Sequence, residues 1–388
     1  MRILLIVNGI AGQEAVGVAG GDIRVIEVAK HWARARHEVH LMGSAASADL
    51  CRRRGLGVQP HIVAWHGGES RWSFMLRAIK VCARLPRSLL RLQPEVIVSA
   101  NEQLYDTLPG FLLKLWYRRR VRWAVVAHNI PAWRFWQREG HHWYQSLAFL
   151  VSGRLSLLLA ALGANRVLAV SPATTRQLVR LRFPKGRITS VPCGVDLAAL
   201  AAIDRDTPVR CFDAATMMRV SAEKGVFTLI DAWRLVVAAS PTAKLAIIGG
   251  GIDMRAAQAR VRALGLEGNI EFFGLILDTG RAFTTIRTAR LFLLPSFKEN
   301  WAIAIGEAMA LGLPVIAFDL PELKEVWGEA FRAVPRGDTS AFADEILALL
   351  GDDAGRRNLA DRGRARVRSL DWADIAEREL AAISGNRS

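Results

Sequence analysis

The sequence is poor in cysteine. Its 388 residues contain four cysteines, at positions 51, 82, 193 and 211, and no two of them form a CxxC pair. Such scattered cysteines provide neither a disulfide framework nor a zinc site, and they fit a reducing cytosol. The phosphate-binding pattern GxxxxGK[ST] is also absent, which argues against an NTPase.

The sequence also lacks a hydrophobic run long enough to span a membrane. The N-terminal segment MRILLIVNG is too short for the core of a signal peptide and is typical of a first β-strand. No uncharged apolar run approaches the roughly 18–20 residues that a bilayer requires. The nearest candidate covers residues 141–165, and because Arg154 interrupts it, the pattern predicts two buried helices.

Positive charge is unevenly distributed along the chain. The net charge is +16, and residues 1–200 alone contain 28 Lys/Arg and 11 Asp/Glu, a net charge of +17. The remaining residues are therefore nearly neutral. This asymmetry indicates an anionic partner for the first half, such as a membrane surface, a phosphorylated substrate or nucleic acid.

Strand-like and helix-like segments alternate along the whole chain. Apolar strands such as EVHLMG (38–43) and RWAVVAH (122–128) belong to a first series, and KLAIIG (244–249) and LPVIAF (313–318) to a second. The pattern predicts an α/β protein with two Rossmann-like domains in series, joined by a linker at 191–208. In such folds ligands bind at the carboxyl ends of the strands, here in the cleft between the domains.

Two glutamates eight residues apart stand out in residues 295–318, PSFKENWAIAIGEAMALGLPVIAF. The pattern predicts a helix over residues 300–311. Glu299 at its entrance and Glu307 would then lie about 12 Å apart along the helix axis. That separation suits hydroxyls at opposite ends of a nucleotide sugar, with helix amides facing the diphosphate between them. Two unrelated, solvated glutamates are the alternative.

This segment, through EAMALGLPVIA, resembles the glutamate–seven–glutamate motif of retaining glycosyltransferases with the GT-B fold, and of glycosyltransferase family 4 in particular. The resemblance implies that Glu299 contacts the hexose and that Glu307 contacts the ribose. It also implies that the backbone amides of Ala302 and Ile303 face a phosphate. The family usually has Gly where this chain has Ala302, so the resemblance does not define the shape of the sugar pocket.

Arg219 and Lys224 straddle a turn between a strand and a helix in MMRVSAEKGVFTLIDAW (217–233). Two cations on one turn can converge on a diphosphate and stabilise the charge of the leaving group; a solvated turn is the alternative. The stretch is similar to the family's Gly-Arg-Leu…Lys-Gly segment, with Met218 in place of the Gly. The resemblance therefore implies that both cations bind the donor and take part in catalysis.

Glycines and a histidine at strand ends add to the predicted donor site. IIGGG (247–251) is similar to the family's Gly-x-Gly turn, which indicates a close approach of Gly249 to the nucleotide. Gly20 and Gly21 resemble a glycine loop whose amides reach the donor phosphates, although a simple tight turn explains them as well. His128 ends a strand where the family commonly has a His that approaches the transferred sugar, and a structural role is the alternative.

The sequence predicts no metal and no other cofactor. Residues 204–206, DRD, have the form of the metal-binding Asp-x-Asp of the other glycosyltransferase fold. That motif follows an apolar strand, whereas this one lies in the predicted linker. No cluster of His, Glu and Cys replaces it, and the nucleotide sugar itself is a substrate.

The resemblance covers most of the chain and implies a GT-B architecture. Residues 1–200 would receive the acceptor, residues 201–370 would hold the donor, and residues 371–388 would form a helix that crosses back to the first domain. The implied function is transfer of a hexose, with retention, from a UDP- or GDP-sugar to a lipid-linked or anionic glycan in cell-surface glycan synthesis. A nucleotide-sugar epimerase or hydrolase, an inactive donor-binding scaffold and a basic nucleic-acid-binding protein are the alternatives.

Residues 111–145 interleave tryptophans with Arg and Lys. Basic amphipathic segments with aromatics suit a membrane interface and also suit stacking on single-stranded nucleic acid; a core helix with a solvated basic end is a third interpretation. Because the positive charge segregates to the acceptor half, we expect a cytoplasmic protein, peripheral at the inner face of the membrane. Its expected partner is an anionic bilayer, not nucleic acid.

Overall fold

The computed structural model describes residues 1–10, 20–63, 73–128, 130, 143–203, 211–276 and 278–385. Within these ranges the chain forms two compact units. The first unit contains the described residues up to Pro192 together with those from Ala373 onwards, and the second unit contains those from Cys193 to Trp372.

The first unit is built on a seven-stranded sheet in the order β3-β2-β1-β4-β5-β6-β7, and all its strand pairs are parallel. Its strands are β1 (Arg2–Val7), β2 (Glu38–Gly43), β3 (Gln59–Ile62), β4 (Val96–Ser99), β5 (Arg122–Ala127), β6 (Arg166–Ala169) and β7 (Ile188–Ser190). The inner strands are buried along nearly their whole length because helices cover both faces of the sheet.

In the described part of this unit, seven helices connect these strands. They are α1 (Gly20–Arg34), α2 (Ala45–Arg53), α3 (Ser73–Ala83), α4 (Arg87–Leu92), α5 (Leu104–Tyr117), α6 (Trp143–Gly163) and α7 (Pro172–Arg180). Ser44 and Ser171 cap α2 and α7, because each hydroxyl accepts a hydrogen bond from the backbone N–H three residues on.

Helix α6 corrects one prediction. The two buried helices expected over residues 141–165 were wrong, since α6 is a single helix from Trp143 to Gly163. Arg154 lies within it, because a charged side chain does not interrupt the backbone hydrogen bonds of a helix. None of the described helices combines the length and the hydropathy that crossing a bilayer requires.

The second unit is built on a six-stranded sheet in the order β10-β9-β8-β11-β12-β13, again parallel throughout. Its strands are β8 (Phe212–Met217), β9 (Leu245–Ile248), β10 (Ile270–Gly274), β11 (Ala289–Leu294), β12 (Val315–Phe318) and β13 (Arg332–Val334). Its helices are α8 (Leu197–Ala202), α9 (Val226–Ala239), α10 (Met254–Ala263), α11 (Thr279–Arg287), α12 (Ile303–Ala310), α13 (Pro321–Trp327), α14 (Thr339–Gly351) and α15 (Asp353–Val367).

The segment expected to be a linker contains structure. Helix α8 lies within residues 191–208, and the expected boundary at residue 200 falls inside it. Val195 forms a β-bridge with Asp371, and its N–H donates to the Leu370 carbonyl at 2.7 Å. This segment therefore begins the second unit.

The last helix, α16 (Trp372–Ser384), packs within the first unit. Glu379 forms an ion pair with Arg24 of α1 at 2.6 Å, and both side chains are fully buried. The indole N–H of Trp32 donates to the Ala376 carbonyl at 2.9 Å. Residues close to the end of the chain thus complete a unit that residue 2 begins.

Candidate functional site

Three neighbouring strands of the second sheet direct their carboxyl ends to one edge. β8 lies between β9 and β11, and all three are parallel. The loops that follow them contain five of the ten site residues predicted from the sequence, and helix α12, which follows the loop after β11, contains two more. Because ligands of open α/β sheets bind at this edge, these loops form the candidate site of the second unit.

Lys224 and Glu299 meet at this edge although 75 residues separate them in the sequence. Lys224 ends a short 3₁₀ turn (Ala222–Lys224) after β8, and Glu299 lies in the loop after β11. The Lys224 Nζ lies 2.5 Å from the Glu299 Oε1, and the side chains are 20% and 13% exposed. The Phe297 N–H also donates to the Glu223 carbonyl at 3.0 Å, so backbone contacts hold the two loops together.

Gly225 makes this contact possible. It has a φ of 79°, a left-handed conformation, and a Cβ at this position would overlap the carbonyl oxygen of Pro295. Only glycine lets the loop after β8 approach the loop after β11 this closely. Gly225 was absent from our predicted site residues, although its place directly after Lys224 in the Lys-Gly pair is a signal that could have found it.

Arg219 is held between two backbone contacts. The Met218 N–H donates to the Ile248 carbonyl, and the Val220 N–H donates to the Gly250 carbonyl, both at 3.0 Å. Gly249 has a φ of 133°, and a Cβ there would overlap the Met218 carbonyl. In this structure Gly249 therefore provides space for the loop that contains Arg219.

The guanidinium of Arg219 has an unfilled hydrogen-bonding position. Its Nε is buried, and no described atom accepts a hydrogen bond from it. A buried donor without an acceptor costs about 1–3 kcal/mol. An anion bound at this edge would remove that cost.

Helix α12 begins later than the sequence indicated. It starts at Ile303, because Ala302 adopts a left-handed conformation with φ 58° and ψ 75° and separates the helix from the preceding loop. The prediction of a helix from residue 300 was wrong, and Glu299 lies in the loop, so the axial spacing of about 12 Å does not apply to the two glutamates.

Glu307 is half-buried on α12. The adjacent Gly306 lies against the Trp327 ring and Val195, where a Cβ would be 2.8 and 2.9 Å from their side-chain atoms. The Trp327 indole N–H donates to the Trp301 carbonyl at 2.8 Å. This packing fixes the helix that presents Glu307.

The first unit contains the other three predicted residues. Gly20 and Gly21 begin α1, and a Cβ on Gly21 would lie 3.0 Å from the His128 Nε2. The His128 N–H donates to the Glu102 carboxylate at 2.8 Å, and its Nε2 lies 3.1 Å from the Ala100 carbonyl. Gly21 and His128 are thus neighbours, and Glu102, which was not predicted, holds the backbone of His128.

His128 is neutral at physiological pH. Its pKa is lowered to about 3, chiefly by burial and also by the charge of Arg24, while the hydrogen bond to the Ala100 carbonyl partly opposes both effects. The carbonyl acceptor requires a proton on Nε2, so His128 acts as a hydrogen-bonding group and not as a proton donor near pH 7.

No metal cluster is found in the part of the chain that the structure describes, where no three His, Cys, Asp or Glu side chains converge. The DRD sequence at 204–206 lies outside the described residues.

Two family models match the chain, one in each half. The model for glycosyl transferases group 1 matches residues 213–352, which include Arg219, Lys224, Glu299 and Glu307. The model for glycosyltransferase family 4 matches residues 18–199, which include Gly20, Gly21 and His128.

Named relatives match part of the chain. A phosphatidyl-myo-inositol mannosyltransferase of Mycobacterium leprae is 36% identical over 172 residues, which are 42% of this chain and 45% of that protein. An O-antigen chain mannosyltransferase B of Escherichia coli is 32% identical over 116 residues, 30% of each protein. The chain thus matches less than half the length of these relatives.

The fold matches solved structures over nearly its full length. Anabaena HepE in complex with UDP-glucose superposes with a TM-score of 0.75 over 99% of this chain and 100% of that one, at 18% identity. With the two parallel-sheet units, this match confirms the predicted GT-B fold.

Proposed function

Because this chain belongs to the glycosyltransferases of group 1 and family 4, we propose that it transfers a hexose from a UDP- or GDP-sugar to a lipid-linked or anionic glycan in cell-surface glycan synthesis. The contact between Lys224 and Glu299 carries this proposal. Together with Arg219, it gives one edge of the second sheet two cations for a diphosphate and a carboxylate for a sugar. The names of the two relatives favour mannose as the hexose.

The donor would bind along the carboxyl edge of the second sheet. Its diphosphate would accept hydrogen bonds from the Arg219 guanidinium, whose buried Nε has no acceptor among the described residues. The diphosphate would also draw Lys224 away from Glu299, which frees that carboxylate for hexose hydroxyls. Glu307 would bind the ribose, and the amides of Ala302 and Ile303 at the start of α12 would face a phosphate.

The reaction would retain the configuration at the anomeric carbon. The bond between C1 and the diphosphate oxygen breaks while the acceptor oxygen bonds to C1 from the same face. The acceptor's hydroxyl proton passes to the departing phosphate oxygen. Glu299 then orients the hexose and does not attack C1, and Arg219 and Lys224 stabilise the leaving group without a metal ion.

The first unit would receive the acceptor. Its excess of positive charge suits an anionic glycan or a glycan on an anionic membrane. Gly20 and Gly21 offer amides to a phosphate, and the neutral His128 suits a hydroxyl group. The protein would then work in the cytoplasm, peripheral at the inner face of the membrane.

A thermal-shift screen with UDP, GDP, ADP and their sugars identifies the donor, because a bound ligand raises the apparent stability. With that donor, Lys224→Met and Arg219→Ala should each reduce turnover at least about tenfold. Lys324→Met is the matched control, since Lys324 forms an exposed ion pair with Asp319 at 2.8 Å in the same unit. It should leave turnover nearly unchanged.

Three further measurements separate this proposal from its alternatives. Activity should survive EDTA, and proton NMR of the product should show retention. Consumption of the donor without any acceptor would indicate an epimerase or hydrolase. If Lys224→Met and Lys324→Met had equal turnover with every donor, the assignment of this edge would be wrong.

A further inference from the structure

Exposed apolar side chains concentrate on three neighbouring helices of the first unit. Isolated exposed leucines are ordinary, but a contiguous group indicates an interaction surface. Among the described residues, thirteen large apolar side chains are exposed, and eight of them lie on α3, α5 and α6. We call these eight the apolar face: Ile79, Leu112, Leu115, Trp116, Val151, Leu155, Leu158 and Leu162.

The three helices are packed side by side. Thr107 of α5 and Ser156 of α6 are hydrogen-bonded at 2.6 Å, and Phe111 lies against Gly163, so α5 and α6 run in the same direction. Ala78 of α3 joins a buried cluster with α5, against which Leu159 of α6 also packs. The exposed residues of α6 recur every three or four positions, which is the spacing of one helix face.

Helix α6 lacks the polar outward face of a surface helix in water. Ser152 and Ser156 point inward and are fully buried. On the outward side, Leu158 is 54% exposed and Leu162 is 66% exposed. A surface helix in water directs its apolar stripe to the core and its polar side chains to solvent. The outward face of α6 therefore matches an apolar environment.

Basic residues lie beside the apolar face. The exposed turn Arg118–Arg120 follows the end of α5 and begins two residues after Trp116, which is 61% exposed. The Tyr117 hydroxyl donates to the Leu89 carbonyl, which fastens α4 and its exposed Arg87 and Arg91 to the same end of α5. Exposed apolar residues, an aromatic and clustered arginines together fit an anionic lipid surface.

Arg122 does not belong to this basic group. Its guanidinium donates to the Ile383 carbonyl of α16 at 3.3 Å, so it serves the fold. The remainder of the predicted basic segment, residues 131–142, lies outside the described residues.

We propose that the apolar face and Arg118–Arg120 form the surface by which the first unit docks onto an anionic bilayer. The leucines and Trp116 enter the interfacial region, and the arginines contact lipid phosphates. This inference rests on the proposed function, because it locates the acceptor-binding unit at the membrane where a lipid-linked acceptor resides.

Co-sedimentation of the full chain with vesicles tests the proposal. Phosphatidylcholine vesicles with about 30% phosphatidylglycerol should bind the protein, and binding should fall with salt. Arg118→Gln/Arg119→Gln/Arg120→Gln should lower the partition coefficient at least about tenfold. Leu158→Gln/Leu162→Gln should lower it at least about threefold.

Two matched controls use exposed residues elsewhere. Arg34→Gln/Arg52→Gln/Arg53→Gln removes the same charge from α1 and α2, which pack on β2. Ile252→Gln changes a 74% exposed side chain in the second unit. Neither control should reduce the partition coefficient by more than about twofold.

Several results would overturn the docking surface. The first is equal binding to vesicles with and without phosphatidylglycerol. The second is an equal loss of the partition coefficient in the variants and in the controls. The third is light scattering that shows a dimer formed through the apolar face. Preferential, salt-sensitive binding to DNA that the arginine variant abolishes would also overturn it. The donor thermal shift separates the two proposals, since the docking variants should keep it. If a donor raises the Tm but the protein does not bind vesicles, only the docking surface is refuted. If the protein binds vesicles but no donor raises the Tm, only the proposed donor chemistry is refuted.

Discussion

Replacing Ala302 with glycine should stabilise the protein. Ala302 has a φ of 58° at the entrance of α12. An L-residue in this conformation costs about 1–2 kcal/mol, because its Cβ crowds the following carbonyl oxygen. Glycine avoids that crowding but adds about 0.4–1 kcal/mol of conformational freedom to the unfolded chain. The net expected gain is about 0.5–1 kcal/mol.

Thermal unfolding measures this gain. For a domain of this size, 1 kcal/mol shifts the Tm by about 2–4 °C, so Ala302→Gly should raise the Tm by about 1–4 °C. Ala304→Gly is the matched control, because Ala304 is helical and lies two residues further along α12. Glycine inside a helix costs about 1 kcal/mol relative to alanine, so this control should lower the Tm.

The opposite signs make the test decisive. If both variants lower the Tm, residue 302 is helical in solution and the late start of α12 is wrong. The donor-dependent thermal shift of Ala302→Gly should persist, because the backbone amide proposed to face a phosphate is unchanged by the substitution.

Two further substitutions test the local geometry. Gly225→Ala should cost at least about 2 kcal/mol, because φ is 79° and the new Cβ would overlap the Pro295 carbonyl; Gly268→Ala, which meets no atom within 4 Å, is the control in the same unfolding assay. His128 should make stability depend on pH. Its folded pKa of about 3 lies below the ordinary 6.5, so only the unfolded chain binds this proton between these values, and stability falls as the pH drops from 6.5 towards 3. Unfolding at pH 7.5 and 5 should show a loss that is about 2 kcal/mol smaller in His128→Gln than in the unchanged protein; identical losses would contradict the lowered pKa.

The central strands were predictable from the sequence. β2 spans Glu38–Gly43, the range that the sequence indicated. The edge strands β3, β7 and β13 were missed, because each has only three or four residues and is partly or largely exposed. Such strands lack the continuous apolar run by which buried parallel strands are recognised.

The candidate site was predictable in its residue types but not in its contacts. Arg219, Lys224, Glu299 and Glu307 follow from the resemblance. The overlap that Gly225 avoids depends on Pro295, which is distant in the sequence, so local patterns do not reveal it. The left-handed Ala302 was equally hidden, because alanine is a strong helix former.

The buried pair of Arg24 and Glu379 has a consequence for synthesis of the chain. The ribosome produces Arg24 early, but the carboxylate that pairs with it emerges only after the second unit has been made. Removing one partner of a buried ion pair costs about 3–5 kcal/mol. The nascent first unit therefore reaches its final stability only when α16 has emerged, and a fragment ending at Pro192 would lack both Glu379 and the carbonyl that Trp32 contacts. In this chain the unit translated first is completed last.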